Sequence, residues 1–246
     1  MFKWNEKSLQ WMQQAASYSE YYQKIAQPII DLLDQDSNIC EIACGCGHLS
    51  MTLSSHVQHI TAIDINPKVI SFLKDELVSN NIRNIEPVVA NWLPYTENKQ
   101  FDVVLFSHFS ALEEQLEKLM RVAKKYIIAI VPEKNNHTIS PQLYTKKNLD
   151  YSRKEIMESA PDILKDLNIP FTQIFQANEF GQPLRDRRDA YEYIEHYYKI
   201  SDPEDIEQFL NSKLQKLHCG YYLPKTKKTR TIIIDVQKAS ANVFYQ

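Results

Sequence analysis

The chain carries the sequence ICEIACGCGHLS at residues 39–50, which passes from a short apolar run through two glycines into a segment typical of a helix. Gly45 and Gly47 are two of only four glycines in 246 residues, so composition alone does not explain their spacing. Glycine at a turn between a strand and a helix permits unusual φ angles and lets a ligand approach the backbone closely. The stretch therefore predicts an α/β fold with a nucleotide pocket at this turn.

An acidic residue at the end of the next predicted strand complements the glycine turn. Residues 59–64 read as a strand that ends at Asp64, and Asp64 lies 17 residues after Gly47. This is close to the spacing of roughly 20 residues at which an acid reaches ribose hydroxyls. An ionised carboxylate accepts charge-assisted hydrogen bonds from both hydroxyls. Asn66 and Pro67 then predict the start of a helix, as its cap and its first residue.

Composition and charge restrict the class of protein. The length suits one α/β domain with additional elements, and a hydrophobic content of 43% supports a sizeable core. The net charge of −3 gives no general attraction for nucleic acid or for an anionic membrane. No run of 18 apolar residues predicts a membrane span, and the N-terminus has no apolar signal core. We therefore expect a cytoplasmic protein.

The four cysteines do not have the spacing of a metal site. Cys40, Cys44 and Cys46 cluster, but in the pattern C-x3-C-x-C, and Cys219 has only His218 beside it. Small free thiols that pack around a turn in a reducing compartment explain this pattern. We expect no metal.

Hydrophobic periodicity predicts five βα repeats, which indicates a doubly wound parallel sheet. The predicted boundaries divide the chain into an N-terminal helical segment (1–36), a Rossmann-like core (37–133) and a C-terminal part with further strands and a helical cap (134–246). The N-terminal segment reads as helical over 7–34, with a break near Pro28. Predicted strands are 38–43, 59–64, 85–90, 101–107, 126–131, 172–177 and 229–236, and the later predicted helices are 152–167, 186–199 and 203–218.

The motifs together resemble those of the class I S-adenosylmethionine-dependent methyltransferases. Residues 41–47 match the family's acid-x-Gly-x-Gly-x-Gly, with Ala43 in place of the first glycine, and Asp64 matches its ribose-binding acid. Asn91-Trp92 matches the pair that flanks adenine, and residues 101–104 match the fourth-strand motif. The resemblance implies a seven-stranded, mostly parallel sheet with an antiparallel last strand, and S-adenosylmethionine as cofactor.

The alternative cofactor is NAD, and charge argues against it. A dinucleotide fingerprint, G-x-G-x-x-G, seats a pyrophosphate on a helix N-terminus, but Ser50 occupies its third position here. Glu41 precedes the turn, where a carboxylate repels a pyrophosphate and suits a ligand bearing a sulfonium and an ammonium. We therefore favour S-adenosylmethionine.

Candidate site residues follow from the motifs and from the edge of the sheet at which ligands bind in such folds. His108, after the fourth strand, is the candidate base, and the alternative is a surface or capping histidine. The candidate substrate contacts are Tyr18, Phe109, Arg188 and Tyr191; helix packing, or a solvated amphipathic helix at 181–198, explains three of them about as well. The predicted cofactor contacts are Glu41, Ala43, Cys44, Gly45, Gly47, His48, Asp64, Ile65, Asn91, Trp92 and Ser107.

The methyl acceptor is the least determined feature. The basic run at residues 225–230 reads as a solvated turn rather than a nucleic-acid patch, because the chain is acidic overall. A cap suits an enclosed pocket, so we predict a small-molecule acceptor, no nucleic-acid partner and no membrane partner. Two alternatives stay open: a cofactor-binding module without transferase activity, and an RNA or protein methyltransferase. The acceptor atom and the oligomeric state stay undetermined.

Overall fold

A computed structural model describes residues 4–97, 99–108, 112–133 and 160–243. Its helices are α1 (Glu6–Tyr18), α2 (Tyr21–Ile30), α3 (His48–Leu53), α4 (Pro67–Ser79), α5 (Trp92–Tyr95), α6 (Leu112–Val122), α7 (Arg187–Tyr198), α8 (Pro203–Lys213) and α9 (Val236–Val243). Residues 160–166 are also helical, and the predicted start of that helix at 152 lies outside the described residues. Its strands are β1 (Asn38–Ile42), β2 (His59–Asp64), β3 (Ile85–Val89), β4 (Phe101–Ser107), β5 (Ala123–Pro132), β6 (Thr172–Glu179), β7 (Gln182–Leu184), β8 (Gln215–Lys216), β9 (Tyr221–Leu223) and β10 (Thr226–Asp235).

Seven strands form the main sheet in the order β3-β2-β1-β4-β5-β10-β6. The strands β1 to β5 pair in parallel, and β10 runs antiparallel to both β5 and β6. The strand order reverses between β1 and β4, where Cys40 pairs with Thr61 on one side and with Val104 on the other. This is the point at which open α/β sheets bind ligands. The predicted seven-stranded, mostly parallel sheet is confirmed.

Apolar side chains alternate between the two faces of the sheet, because successive residues of a strand point to opposite sides. Ile39 and Val103 belong to the hydrophobic cluster that packs against α1 to α4. Their neighbours Cys40 and Val104 belong to the cluster on the opposite face, with α6, α9 and the helical residues 160–166. Both faces are covered, as a parallel sheet requires.

The N-terminal helices differ from the prediction in where they break. The sequence predicts a break near Pro28, but the break lies between Tyr18 and Tyr21, and Pro28 lies inside α2. Ser19 ends α1, since its hydroxyl and its backbone N–H both donate to the Ala15 carbonyl. Pro28 lies in the last turn of α2, where its missing N–H removes only one hydrogen bond of the helix.

A second, three-stranded sheet in the order β7-β9-β8 was not predicted. The predicted helix over 203–218 is therefore too long: α8 ends at Lys213, and Gln215 pairs with Tyr222 of β9. This sheet, α1, α7 and α8 share a third hydrophobic cluster around Trp11. The Trp11 indole N–H donates to the buried Asp189 carboxylate at 3.1 Å, which fixes α7 to α1.

Gly47 is required for packing as well as for backbone conformation. It has a φ of +72°, and a Cβ there would lie 2.4 Å from Leu73 Cδ1. Leu73 is fully buried in the core, so it must shift within packed surroundings to admit that Cβ. Gly45 has a φ of +55°, but a Cβ there would meet nothing closer than Trp4 at 4.0 Å.

We expect Gly47→Ala to lower the free energy of unfolding by about 2–4 kcal/mol, from left-handed strain and overpacking combined. Gly45→Ala is the matched control and should cost only the strain, about 1–2 kcal/mol. Urea unfolding of both variants measures the difference. Equal losses would contradict the packing role of Gly47.

Candidate active site

A cavity of about 200 Å³ opens at the carboxyl ends of β1 and β4. The N-terminal helices form its opposite wall, and the start of β10 closes one side. Its lining residues are Trp4, Met12, Tyr21, Tyr22, Glu41, Ala43, Cys44, Gly45, Cys46, His48, Leu49, Ser107, His108 and Lys227. The cavity therefore gathers much of the predicted glycine motif together with Ser107 and His108.

The turn after β1 owes its shape to three residues with positive φ. Ala43, Gly45 and Gly47 have φ values of 54°, 55° and 72°. Cys44 donates its backbone N–H to the Ile63 carbonyl, and Gly47 donates to the Cys44 carbonyl, both at 3.0 Å. The open space beside Gly45 faces the cavity, so a ligand can approach the backbone there. Ala43 adopts the left-handed conformation without being glycine, at a cost of about 1–2 kcal/mol.

Asp64 connects the end of β2 to the glycine turn. One carboxylate oxygen accepts the Gly45 N–H at 3.0 Å, and the other accepts the Asn66 N–H at 2.9 Å. A carboxylate has about four lone-pair sites, so two remain for a ligand. The side chain is half-buried and oriented by these two bonds.

Glu41 is a buried acid on the cavity wall, with 2% of its surface exposed. It accepts a short hydrogen bond from the Ser50 hydroxyl of α3. Burial raises the pKa of Glu41 to about 7, although the Ser50 bond opposes the rise. A cation beside this carboxylate would favour its ionised form.

His48, the first residue of α3, is held by the N-terminal helices. Its ring stacks on Tyr22 with centroids 5.1 Å apart, and its Nε2 lies 2.7 Å from the Gln13 amide oxygen. Burial lowers the pKa of His48 to about 4, so the ring is neutral near pH 7. His48 therefore lines the turn as a neutral, fixed side chain.

His108 directly follows β4 and has a φ of 55°, which is rare for a residue other than glycine. Its N–H donates to the Ile130 carbonyl at 2.8 Å, and its Nδ1 lies 2.9 Å from the Ser107 hydroxyl. The protein atoms that crowd its recess, and then the charge of Lys227, lower the pKa of His108. His108 nevertheless keeps part of its surface exposed to solvent. Phe109 lies outside the described residues.

Lys227 lines the cavity, and the sequence interpretation of its segment as a solvated turn is wrong for this residue. Residues of β10 alternate between faces, and Lys227 shares its face with the buried Thr229 and Thr231. Burial lowers the pKa of Lys227 to about 7. The alternation of the basic run with the threonines was the available signal for its inward orientation.

Three predicted substrate residues do not line the cavity. Tyr18 is 51% exposed and packs its ring on Tyr222, with centroids 4.8 Å apart. Arg188 and Tyr191 line a separate groove of α7 and α8, in which Arg188 pairs with Glu192. The helix α7 turns Tyr193, Ile194 and Tyr198 inward, which leaves Arg188 on its outer side.

The predicted adenine-flanking pair, Asn91 and Trp92, follows β3 and is not among the residues that line the cavity. Asn91 caps α5, since its side chain accepts the Leu93 N–H at 3.2 Å. Trp92 is 6% exposed and packs into the core below. Ile65 follows Asp64 and is 53% exposed, so its apolar side chain is accessible beside the predicted ribose-binding acid.

Neither a metal cluster nor a membrane-spanning helix is found in the part of the chain that the structure describes. No group of three or more His, Cys, Asp or Glu side chains there has the geometry to hold a metal ion. No helix among the same residues is long and apolar enough to cross a membrane. Cys40, Cys44 and Cys46 are buried free thiols.

Residues 39–127 match the family model described as a methyltransferase domain. This segment contains the glycine turn, Asp64 and β4. The chain therefore carries a methyltransferase domain of the class I type, and the resemblance read from the sequence is confirmed.

Two curated relatives each match about half of the chain, and their names give different substrates. A malonyl-acyl-carrier-protein O-methyltransferase of Acetivibrio thermocellus is 30% identical over 118 residues, which cover 44% of this chain and 41% of the relative. A ribosomal RNA small subunit methyltransferase A of Malacoplasma penetrans is 22% identical over 128 residues, which cover 51% of this chain and 47% of the relative. The matched segments thus span less than half the length of either relative.

The fold has close counterparts among solved structures. A putative methyltransferase from Bacillus halodurans aligns over 87% of this chain and 98% of its own, with a TM-score of 0.58 and 15% identity. At this identity the likeness shows the fold alone.

Proposed function

We propose that the protein is an S-adenosylmethionine-dependent methyltransferase acting on a small molecule. The observation that carries the proposal is the turn after β1, where open space beside Gly45 lies between the Asp64 carboxylate and the buried Glu41. The methyltransferase-domain match over residues 39–127 and the relatives that act as methyltransferases support it.

The residues present fit the cofactor. A Cβ at Gly45 would point into the space that a bound nucleoside needs, and glycine leaves that space open. Asp64 keeps two lone-pair sites for ribose hydroxyls, and Ile65 offers an exposed apolar surface for a base. These three features lie at the carboxyl edge of neighbouring parallel strands, where such ligands bind.

The charge at Glu41 favours a cationic ligand over a diphosphate. The acid is buried beside the glycine turn, where a diphosphate would add like charge in a low-dielectric setting. The ammonium of a methionine group would pair with the carboxylate and stabilise its ionised form. The site therefore supports S-adenosylmethionine over NAD.

Methyl transfer then needs a nucleophile held in line and water excluded. The bound cofactor supplies an activated methyl group on a positive sulfur. Tyr21, Tyr22 and Met12 cover the cavity from the side of the helices. The neutral His108 is positioned by Ser107 at the cavity wall and accepts a proton from an acceptor that carries one.

The acceptor class rests on the shape of the cavity. The N-terminal helices cover this cavity, which suits a small acceptor rather than a polymer groove. The net charge of −3 gives no general attraction for RNA. The similarity to a ribosomal RNA methyltransferase is the observation that favours an RNA acceptor instead.

Removing the Asp64 carboxylate should weaken cofactor binding. We expect Asp64→Ala to reduce the affinity for S-adenosylhomocysteine by about 10–100-fold, because two ribose hydrogen bonds to a charged group are lost. Asp75→Ala, an exposed acid on α4, is the matched control. Isothermal titration calorimetry measures both variants, and equal affinities of Asp64→Ala and the intact protein would refute the assignment.

Cofactor affinity should rise with pH as Glu41 ionises. Its pKa of about 7 leaves it mostly protonated at low pH, and only the ionised form attracts an ammonium. We expect S-adenosylhomocysteine to bind roughly 5–10-fold more tightly at about pH 7.5 than at about pH 6. The experiment compares two variants, Lys227→Met alone and Lys227→Met combined with Glu41→Gln. The Lys227→Met substitution removes an amine that would otherwise titrate in the same pH range.

The variant with Glu41→Gln should bind S-adenosylhomocysteine weakly, and its affinity should not rise with pH. Methylthioadenosine, which lacks the ammonium, is the ligand control, and its affinity for either variant should not rise with pH. A rise that persists in Glu41→Gln would assign the effect to another group.

Turnover with fractionated acceptors tests the class of substrate. We expect S-adenosylhomocysteine to form with the metabolite fraction of a cell extract, and not with its purified RNA or protein fractions. Product release with RNA alone would favour the second candidate. Tight cofactor binding without product in any fraction would favour a binding module without transferase activity.

A further inference from the structure

Lys227 is the one lysine or arginine among the described residues that line the cavity. Its ammonium lies 3.9 Å from the centre of the Phe180 ring and 4.9 Å from that of Tyr21. No salt bridge joins Lys227 to another side chain within the described ranges of the chain. The aromatic faces stabilise the charge only in part, since such a contact contributes about 0.5–2 kcal/mol.

Several buried polar side chains near Lys227 in the fold have no hydrogen-bond partner among the described residues. Tyr21 lines the cavity and is 1% exposed, and its buried hydroxyl oxygen has no hydrogen-bond partner among the described residues. Asn178 pairs with Lys227 across β6 and β10, and its amide nitrogen is buried without a partner in the same part of the chain. Thr229 and Thr231 continue the face with two more such hydroxyls.

Such groups are costly to leave unpaired. A buried donor without a partner costs about 1–3 kcal/mol, and a buried charge costs more. Lys227 lines the cavity, so a ligand there can pair with its ammonium. A charged donor without an acidic partner calls for an anionic oxygen acceptor.

The balance of charge selects a singly charged anion. His48 and His108 are neutral on the same wall, because their pKa values are lowered. Glu41 adds a carboxylate at the turn. One ammonium matches a carboxylate, whereas a doubly charged phosphate would meet a wall with a single cation and an acid.

We propose that Lys227, held over the rings of Phe180 and Tyr21, forms a carboxylate-binding subsite of this cavity. The proposal rests on the proposed function of the same site and specifies its ligand chemistry. The carboxylate belongs either to the methionine end of the cofactor or to the methyl acceptor, and the two sources are separable by experiment.

The first measurement compares two nucleosides by calorimetry. S-adenosylhomocysteine carries the amino-acid carboxylate, and methylthioadenosine lacks it. If Lys227 binds the cofactor, Lys227→Met lowers the affinity for S-adenosylhomocysteine at least tenfold and leaves the affinity for methylthioadenosine unchanged. Lys228→Met, on the opposite face of β10, is the matched control and leaves both affinities unchanged.

The second measurement tests the acceptor as the source. The protein saturated with S-adenosylhomocysteine is titrated with acetate, a singly charged carboxylate, and binding is followed by amide chemical shifts. If Lys227 binds the acceptor, the intact protein binds the added carboxylate, and Lys227→Met lowers the affinity for that carboxylate at least tenfold. Lys227→Arg, which keeps the charge, retains part of the binding in either case.

The outcomes are separable from those of the proposed function. A tenfold loss in either measurement supports the subsite, and unchanged affinities in both overturn it. If the intact protein binds neither nucleoside, the proposed function fails, and titration of the free protein with acetate still decides the subsite. Thermal unfolding of Lys227→Met checks that its losses do not come from misfolding. If that variant fails to fold, Lys227→Gln takes its place, with a loss of carboxylate affinity expected and its absence contradicting the proposal.

Discussion

The hydrogen bond from the Gly45 N–H to the Asp64 carboxylate is the contact on which the site depends. It joins the turn after β1 to the end of β2, two strands that pair in parallel from Asn38 to Ile42. The turn can reach Asp64 only because Ala43, Gly45 and Gly47 all adopt positive φ. The same geometry brings α3 against α4, where Gly47 packs on Leu73, and so orients Glu41, Ser50 and His48 around the cavity.

Two opposite charges lie on the walls of one small cavity. Burial moves the pKa of Glu41 up and that of Lys227 down, each to about 7, so each group is close to its titration midpoint at neutral pH. Neither charge has a full ionic partner on the cavity wall among the described residues. A ligand with both an ammonium and a carboxylate, or a cationic cofactor beside an anionic acceptor, would supply both partners. Charge complementarity thus restricts the ligand more narrowly than volume does.

The sequence was sufficient for the parts of the fold that depend on local pattern. The glycines at 45 and 47, the acid at 64 and the apolar run at 101–107 predicted the positions of parallel strands along the chain, and β2 and β4 have the predicted bounds. The second sheet was missed, because β8 has two residues and β9 has three, too few to show an alternating pattern. Lys227 was misread, because net charge and composition say nothing of which side of a strand a residue faces. Arg188 was placed near the substrate by residue type alone, whereas its orientation depends on how α7 packs against Trp11.

Adjacent residues of α1 contact two different parts of the protein, the α7–α8 pair and the cavity. Trp11 belongs to the cluster with α7 and α8, and Met12 lines the cavity. The α7–α8 pair is thus joined to the cavity wall through α1 and through the bond from Trp11 to Asp189, and the glycine turn lies apart from this joint. Substitutions in the outer faces of α7 and α8 therefore leave the glycine turn as it is, whereas loss of Trp11 would loosen the joint that holds these helices to α1.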